Sequence, residues 1–271
     1  MVLEQRFMSR LLETAIVAAR LAGQRAMEEL GYIKSSIKNS NEMVTQADEK
    51  CQKIIIDRIK ENYPDHGFIA EEGEKGKIFK QPPRGSEQIW WLIDPIDGTN
   101  NFAHRMLLFT VSIAAMYNGE PVVGVVFEPA TDSMFTAVKG REAQLNGRKI
   151  SAGNENLTEF SSVGLDSHFE LPIPKWVEQL IHKTRFRNLG TTALQIAYVA
   201  GAGLVATVVY KPKLWDIAAG AVIARTAGAL VTDWKGEKIF PVDLEHYQGE
   251  EFRVLVANKK VHPELVKMIN P

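Results

Sequence analysis

The sequence predicts an α/β protein built from layered sheets and helices. Segments of helical and strand periodicity alternate along nearly the whole chain, and 45% of its 271 residues are apolar, enough for a sizeable core. The single cysteine excludes an internal disulfide and disfavours a Cys-based zinc site. With 32 basic and 33 acidic residues, the net charge of −1 gives no general attraction to nucleic acid or to an anionic membrane.

The first half of the chain alternates between helices and strands. Apolar residues at helical spacing predict a helix over residues 6–31, which Gly31 closes, and another over 47–62, which Pro64 stops. Short apolar runs predict buried strands over 67–70 and 89–93. Residues 110–138 are typical of meandering strands broken at Asn118-Gly119 and at Pro129, and Asn146-Gly147 predicts a tight hairpin.

The second half continues the alternation. Strands are predicted over 162–165, 204–210, 230–234 and 253–257, and helices over 174–184, 216–227 and 263–269. The uncharged stretch 191–210 contains Gln195 and a Gly201-Ala202-Gly203 break, which favours a buried helix and strand over a membrane span. A boundary near Ile150 would divide one compact unit into lobes 1–150 and 151–271. No targeting signal is recognised, and we expect a cytoplasmic protein.

Two carboxylates follow the apolar strand that leads into Asp94-Pro95-Ile96-Asp97-Gly98-Thr99. Pro95 lacks an N–H and is expected to end the ladder, which places both Asp side chains at the edge of a sheet. A short helix beginning near Thr99 would offer its first N–H groups to a phosphate. Carboxylates beside an anion site require cations between them, and a hard oxygen donor set selects Mg²⁺, Mn²⁺ or Ca²⁺. The alternative interpretation is a plain turn whose acids cap the helix.

Two further segments also place acidic residues at the end of a predicted strand or at the start of a predicted helix. Glu71-Glu72-Gly73 follows the apolar run 67–70, and Trp215-Asp216 precedes an apolar helix. For Glu71 the alternative is a solvated strand end, and for Asp216 it is a helix N-cap, which is compatible with a carboxylate that also faces a metal.

These three segments resemble the signatures of the inositol monophosphatase family, in order and at the expected spacing. Further resemblance at Val44-Thr45-Gln46-Ala47-Asp48 and Gly190-Thr191-Thr192-Ala193 extends the match over nearly the whole chain. The resemblance implies a five-layer αβαβα sandwich of the inositol monophosphatase/fructose-1,6-bisphosphatase type, usually a homodimer. It also implies Mg²⁺-dependent, Li⁺-sensitive hydrolysis of a small phosphomonoester by in-line attack of metal-activated water.

The resemblance assigns roles residue by residue. One Mg²⁺ would be held by Glu71, Asp94 and the carbonyl of Ile96, and a second by Asp94, Asp97 and Asp216. A third, looser ion near Glu71 and replacement by Mn²⁺ are both compatible with it. Thr99 and Asp48, aided by Glu71, would orient and deprotonate the attacking water. The substrate would contact the set Lys38, Asp97, Gly98, Thr99, Gly190, Thr191 and Thr192; as a loop lysine, Lys38 could equally face water.

One departure from the family pattern concerns the substrate. Inositol-cleaving members usually carry a Glu shortly before the Trp-Asp pair, where this chain has Tyr210-Lys211-Pro212-Lys213. Two lysines would favour a second anionic group, as in fructose 1,6-bisphosphate, 3′-phosphoadenosine 5′-phosphate or NADP, and histidinol phosphate is a further alternative. A non-catalytic transcription- or ribosome-associated role and an acidic cation-binding module are the rivals outside enzymology. Direct nucleic-acid binding is not expected, because no basic stripe is evident.

Overall fold

A computed structural model describes residues 3–32, 35–38, 42–84, 88–166, 169 and 171–270, with the side chains of 35–38, 42–45 and 75 left out. The helices are α1 (Gln5–Glu29), α2 (Gln46–Asn62), α3 (Thr99–Ala103), α4 (Lys175–Lys183), α5 (Thr192–Ala200), α6 (Leu214–Thr226) and α7 (Val261–Ile269). The strands of the first half are β1 (Ser35–Lys38), β2 (Glu42–Thr45), β3 (Gly67–Ala70), β4 (Phe79–Gln81), β5 (Ile89–Asp97), β6 (Thr110–Tyr117), β7 (Glu120–Glu128), β8 (Ser133–Val138), β9 (Gln144–Leu145) and β10 (Arg148–Lys149). Those of the second half are β11 (Ser162–Leu165), β12 (Arg185–Arg187), β13 (Ala206–Tyr210), β14 (Leu230–Thr232) and β15 (Arg253–Ala257).

The strands form two large sheets and one small hairpin. An eight-stranded sheet has the order β10-β9-β8-β7-β6-β5-β3-β4, and a five-stranded sheet has the order β12-β11-β13-β15-β14. Among the described strands, β1 and β2 pair with each other and with no third strand. The large sheet uses only strands before residue 150 and the smaller sheet only strands after it, although the division into lobes 1–150 and 151–271 itself stays a prediction.

Three apolar clusters separate five layers. One lies between α1 and α2 and the outer face of the large sheet, with Leu11, Ile55 and Trp91 fully buried. The second joins the inner face of that sheet to α5 and α6 and then to the smaller sheet. The third packs α4 and α7 on the far face of the smaller sheet, through Leu180 and Leu265. The expected αβαβα sandwich is therefore confirmed.

Strand β5 runs further than the sequence predicted. We expected Pro95 to end the ladder after residue 93, but β5 continues to Asp97, where it pairs with Thr110 of β6. The missing N–H is accommodated by a bulge: Asp94 faces Ser112 and Asp97 faces Thr110, so three steps along β5 match two steps along β6. Pro95 thus interrupts the ladder locally without terminating the strand.

Most other elements agree with the sequence analysis within a few residues. β4, which pairs antiparallel with β3, lies in a stretch for which the sequence predicted no element. The short strands β1, β2 and β12 were not anticipated. None of the helices in the described part of the chain combines the length and apolar character needed to cross a bilayer.

Candidate active site

The bulge in β5 sets the direction of two carboxylates. In a regular strand, Asp94 and Asp97 would project from opposite faces, because they are three residues apart. The extra residue restores the register, so that both lie opposite residues of the same face of β6. Both side chains are consequently buried on the side of the sheet that faces the central helices, at 2% and 7% exposure.

Glu71 is brought to the same place by a parallel strand pair. β3 and β5 run parallel with Ala70 opposite Ile93, so the residues that follow them share one edge of the sheet. The backbone N–H of Glu71 donates to the carbonyl of Ile93 at 3.3 Å, which holds the start of its loop beside Asp94. The predicted juxtaposition of Glu71 with the central motif is therefore present.

Asp216 arrives from the second half of the chain, on α6. The carbonyl of Trp215 accepts a hydrogen bond from Ser112 Oγ of β6 at 3.1 Å, which docks the helix start on the large sheet. We considered Asp216 as an N-cap, but α6 begins at Leu214, and Asp216 occupies the third helical position. Its Oδ2 accepts a hydrogen bond from the N–H of Lys213 at 2.7 Å, so the carboxylate caps the N-terminus of α6 from within the first turn.

These acids line or border one cavity of about 970 Å³, whose wall includes Glu71, Asp97 and Asp216. Burial raises the pKa of Asp94 well above its usual range, and the charges of Glu71, Asp97, Asp216 and Asp48 raise it further. Burial, followed by the charge of Asp97, raises the pKa of Asp216 to about 8. For Asp216, the raising effects of burial and of the Asp97 charge exceed the lowering effect of the Lys213 charge.

Such a donor set suits a hard divalent cation. Carboxylates are the ligands that Mg²⁺ and Mn²⁺ prefer, and a bound ion would relieve the mutual repulsion that raises these pKa values. In the described part of the chain, however, no three His, Cys, Asp or Glu side chains are arranged so that they could already hold an ion. The ligand set of Glu71, Asp94, Ile96, Asp97 and Asp216 fits Mg²⁺ chemically and stays a prediction.

Thr99 and Asp48 form the expected pair. Asp48 lies in the first turn of α2 and is fully buried. The Thr99 hydroxyl lies 3.3 Å from Asp48 Oδ1 and 3.0 Å from the carbonyl of Ile96, and it can donate its one proton to either. Thr99 also lines the cavity, so the pair that it forms with the buried Asp48 adjoins the open space.

A left-handed glycine turns the chain from β5 into α3. Gly98 has φ +97°, and a Cβ there would lie 3.1 Å from the carbonyl oxygens of Gly190 and Leu108. Asn101 locks the facing loop, since its Nδ2 donates to the carbonyls of Leu108 at 2.8 Å and Leu189 at 2.7 Å. The predicted contact residues Gly98 and Gly190 therefore lie against each other.

Asp97 also bonds to the start of α5. Its Oδ2 accepts from the Thr191 hydroxyl and from the N–H of Ala193 at 2.6 Å, and its Oδ1 accepts from the N–H of Thr192 at 3.2 Å. Burial raises the pKa of Asp97 to about 6, although these bonds act to lower it. Thr191 and Thr192 line the cavity as predicted, and they also anchor a metal-ligand candidate.

Two acids of the cavity wall, Asp166 and Glu251, were not predicted from the sequence. Asp166 directly follows β11, and its Oδ2 accepts from the N–H of Tyr210 at 2.5 Å. Burial raises its pKa to about 6, against the lowering effect of the Tyr210 hydrogen bond. An apolar strand that ends in a carboxylate was the signal used for Glu71, and the same signal was available at residues 162–166.

The lysines predicted near the substrate differ in the contacts that the structure shows for them. Lys211 and Lys213 both line the cavity. Lys213 Nζ donates to the carbonyl of Gly249 at 2.8 Å and lies 3.4 Å from Glu251, while Lys211 Nζ lies 5.1 Å from the centre of the Tyr210 ring. Lys38 ends β1, but its side chain lies outside the described residues, so its predicted role is untested.

Known proteins resemble this chain in both sequence and fold. The profile of the inositol monophosphatase family matches residues 8–270. The chain is 33% identical to the fructose-1,6-bisphosphatase/inositol-1-monophosphatase of Thermotoga maritima, over 96% of this chain and 95% of that protein. It is 35% identical to the Nus factor SuhB of Vibrio cholerae, over 84% and 87% of the two chains. The crystal structure of the extragenic suppressor protein suhB from Bartonella henselae superposes with a TM-score of 0.85 at 28% identity, covering 96% of this chain and 98% of that one.

Proposed function

Because the chain belongs to the inositol monophosphatase family, we propose that it hydrolyses a small phosphomonoester in an Mg²⁺-dependent reaction. The observation that carries the proposal is the placement of Glu71, Asp97 and Asp216 on the wall of one cavity beside the Thr99 hydroxyl. Three separate stretches of sequence supply these carboxylates.

Glu71, Asp94, Asp97, Asp216 and the carbonyl of Ile96 would hold two Mg²⁺ ions, with a third, looser ion near Glu71. Bound there, the ions would supply charge neutralisation for the phosphoryl group and lower the pKa of water. The side chains would have to draw closer on binding, because the arrangement described here does not yet form a cage.

The protein groups would orient and deprotonate the attacking water. The lone pairs of Thr99 Oγ1 can accept a proton from water while its own proton passes to Asp48 Oδ1, 3.3 Å away. The water oxygen bonds to phosphorus, the ester P–O bond breaks on the opposite side, and the departing alkoxide takes a proton from solvent. In this proposal, the N–H groups of Gly98 and Thr99 bind the substrate phosphate, and Gly190, Thr191 and Thr192 contact the rest of the substrate.

A phosphate-release screen tests this function. Purified protein would be incubated with Mg²⁺ and with inositol 1-phosphate, fructose 1,6-bisphosphate, 3′-phosphoadenosine 5′-phosphate, NADP, histidinol phosphate and phenyl phosphate. We expect release that EDTA abolishes, and Li⁺ inhibition in keeping with the family. A Glu71→Gln variant should be inactive although it remains folded. Metal uptake with no release from any of these esters would favour a cation-binding module instead.

A role in transcription is the second candidate, because several relatives at about this identity are named Nus factor SuhB. This role requires no phosphate release. The two candidate functions can therefore be distinguished by complementation in cells that depend on the protein. Complementation by Glu71→Gln would favour the binding role, and loss of complementation would favour catalysis.

We propose further that the protein acts in the cytoplasm as a homodimer. The one cysteine, Cys51, is a free and buried thiol, which suits a reducing compartment. Light scattering after size exclusion would test the dimer, and fractionation of the source cell would test the location.

A further inference from the structure

Asp166 is a carboxylate in the cavity that the proposed metal and proton-transfer roles do not use. It lies at the end of β11, in the smaller sheet, whereas Asp94 and Asp97 lie on β5 of the large sheet. It shares the cavity wall with Asp97, Thr192 and Lys211. Its position therefore suits contact with a part of the substrate other than the phosphoryl group.

Two groups hold the Asp166 side chain in place. The N–H of Tyr210 donates to Oδ2 at 2.5 Å, and the side chain of Gln195 on α5 makes a further hydrogen bond. Gln195 is itself 1% exposed, and its Oε1 accepts from the N–H of Leu189 at 3.4 Å. The carboxylate is thus oriented by a buried amide and a strand backbone, as a recognition group requires.

Helix α5 fixes the relation between Asp166 and Asp97. Asp97 bonds to the N–H of Ala193, and Asp166 bonds to Gln195, two residues further along the same helix. Two residues correspond to about 3 Å along a helix axis. The two carboxylates are therefore attached to one rigid turn, and a substrate whose phosphate lies near Asp97 would place its alcohol portion within reach of Asp166.

We propose that Asp166 accepts a hydrogen bond from a hydroxyl on the alcohol portion of the substrate and selects a polyol phosphomonoester. This inference rests on the proposed phosphatase function. A carboxylate in this place repels a second phosphate, and one lysine of the wall, Lys213, donates to the carbonyl of Gly249 and lies 3.4 Å from Glu251. The three lysines of the wall, Lys77, Lys211 and Lys213, disfavour a substrate ammonium, which leaves a neutral hydroxyl as the partner.

The acceptor role replaces a residue that this chain lacks. The glutamate expected before the Trp-Asp pair is absent, and Lys211 and Lys213 occupy that stretch. Asp166 accepts a hydrogen bond from the backbone N–H of Tyr210, and Tyr210 directly precedes Lys211. A carboxylate therefore borders the same part of the cavity, supplied by β11 instead of by the segment before α6.

Substrate-dependent kinetics of Asp166→Ala and Asp166→Asn test the proposal. For inositol 1-phosphate we expect kcat/KM to fall by about 10- to 100-fold in Asp166→Ala, mainly through KM, and by less in Asp166→Asn, which keeps one acceptor oxygen. For phenyl phosphate, which has no hydroxyl, kcat/KM should stay within about threefold of the wild type. Glu251→Gln removes another charge from the cavity wall and is the matched control, with both substrates unaffected.

The outcomes separate the two proposals. Equal losses on both substrates would make Asp166 a structural residue and overturn the inference alone, as would a larger loss on histidinol phosphate than on inositol 1-phosphate. Wild-type protein that cleaves phenyl phosphate but not inositol 1-phosphate would also overturn it while leaving the phosphatase function intact. Wild-type protein that releases phosphate from no ester would overturn the phosphatase function and the inference with it.

Discussion

The carboxylate of Asp97 accepts a hydrogen bond from the backbone N–H of Ala193 at 2.6 Å, which ties the end of β5 to the start of α5. The N–H of Thr192 and the hydroxyl of Thr191 donate to the same carboxylate. One side chain therefore caps a helix from the other half of the chain and also belongs to the proposed metal site.

Asp97→Asn should reduce both activity and stability. Both oxygens of Asp97 accept hydrogen bonds from backbone N–H groups of α5. In the asparagine variant, the side-chain NH₂ group would replace one of these oxygens and would face an N–H donor that it cannot accept from. We expect phosphate release to be abolished and the free energy of unfolding to fall by about 1–3 kcal/mol. Glu71→Gln is the matched control, with activity lost but stability nearly unchanged. Denaturant unfolding of both variants measures the difference; equal stability would contradict the capping role of Asp97.

Removal of the Thr99 hydroxyl should affect turnover more than binding. Thr99→Ala breaks the contact with Asp48 Oδ1, and we expect kcat to fall by about 10²- to 10⁴-fold with little change in KM. Thr99→Ser keeps the hydroxyl and should retain most of the activity. Steady-state kinetics on the best ester of the screen decides this point. An active Thr99→Ala variant would exclude the proposed proton path.

Mg²⁺ should stabilise the protein more at high pH than at low pH. The pKa values of Asp97 and Asp216 are raised above the ordinary 3.8 to about 6 and about 8. The metal-free fold therefore binds more protons than the unfolded chain in this window, and its stability falls as pH rises from about 4 to about 8.

Saturating Mg²⁺ should offset that loss. We expect it to raise Tm by about 5–10 °C near pH 8 and by much less near pH 5. Thermal unfolding of EDTA-treated protein, with and without MgCl₂, measures the shift, and KCl at equal ionic strength is the control. A shift of the same size at both pH values would count against a carboxylate site.

Gly190→Ala should lower the free energy of unfolding more than the substitution of a glycine at an open turn. Gly190 has φ +68°, and a Cβ there would lie 2.6 Å from Nδ2 of Asn101, which is held by two carbonyls. Gly147 has a similar φ of +76° with nothing within 4 Å, so Gly147→Ala adds only the backbone strain, about 1–2 kcal/mol. We expect Gly190→Ala to exceed that cost and to lower activity, as urea unfolding and phosphate release would show.

Sequence patterns were sufficient where burial dictates residue type. β3, β11 and β15 have the predicted bounds, since each is a short apolar run with clear limits. β12, in contrast, is Arg185-Phe186-Arg187 at an exposed edge, and it forms because β11 offers a free ladder, which periodicity does not reveal. The continuation of β5 past Pro95 depends likewise on its pairing with β6, a partner distant in sequence.

Four acids near the candidate site were predicted from the sequence, but Asp166 and the hydrogen bonds that hold the acids in place were not. Asp94, Asp97, Glu71 and Asp216 are recognisable from the strand and helix ends that carry them. The hydrogen bonds from α5 to Asp97 and from Gln195 to Asp166 join residues about 30 to 100 positions apart, and no local pattern specifies them.

The division of the site between the two sheets has a consequence for biosynthesis. When only the first sheet has emerged from the ribosome, the α5 N–H groups that donate hydrogen bonds to Asp97 have not been synthesised. Asp216, on α6, is also still missing at that stage. A nascent or prematurely terminated polypeptide of that length therefore lacks both the α5 donors to Asp97 and the carboxylate of Asp216. Any phosphate release by this chain therefore reports a translation product finished at least beyond α6.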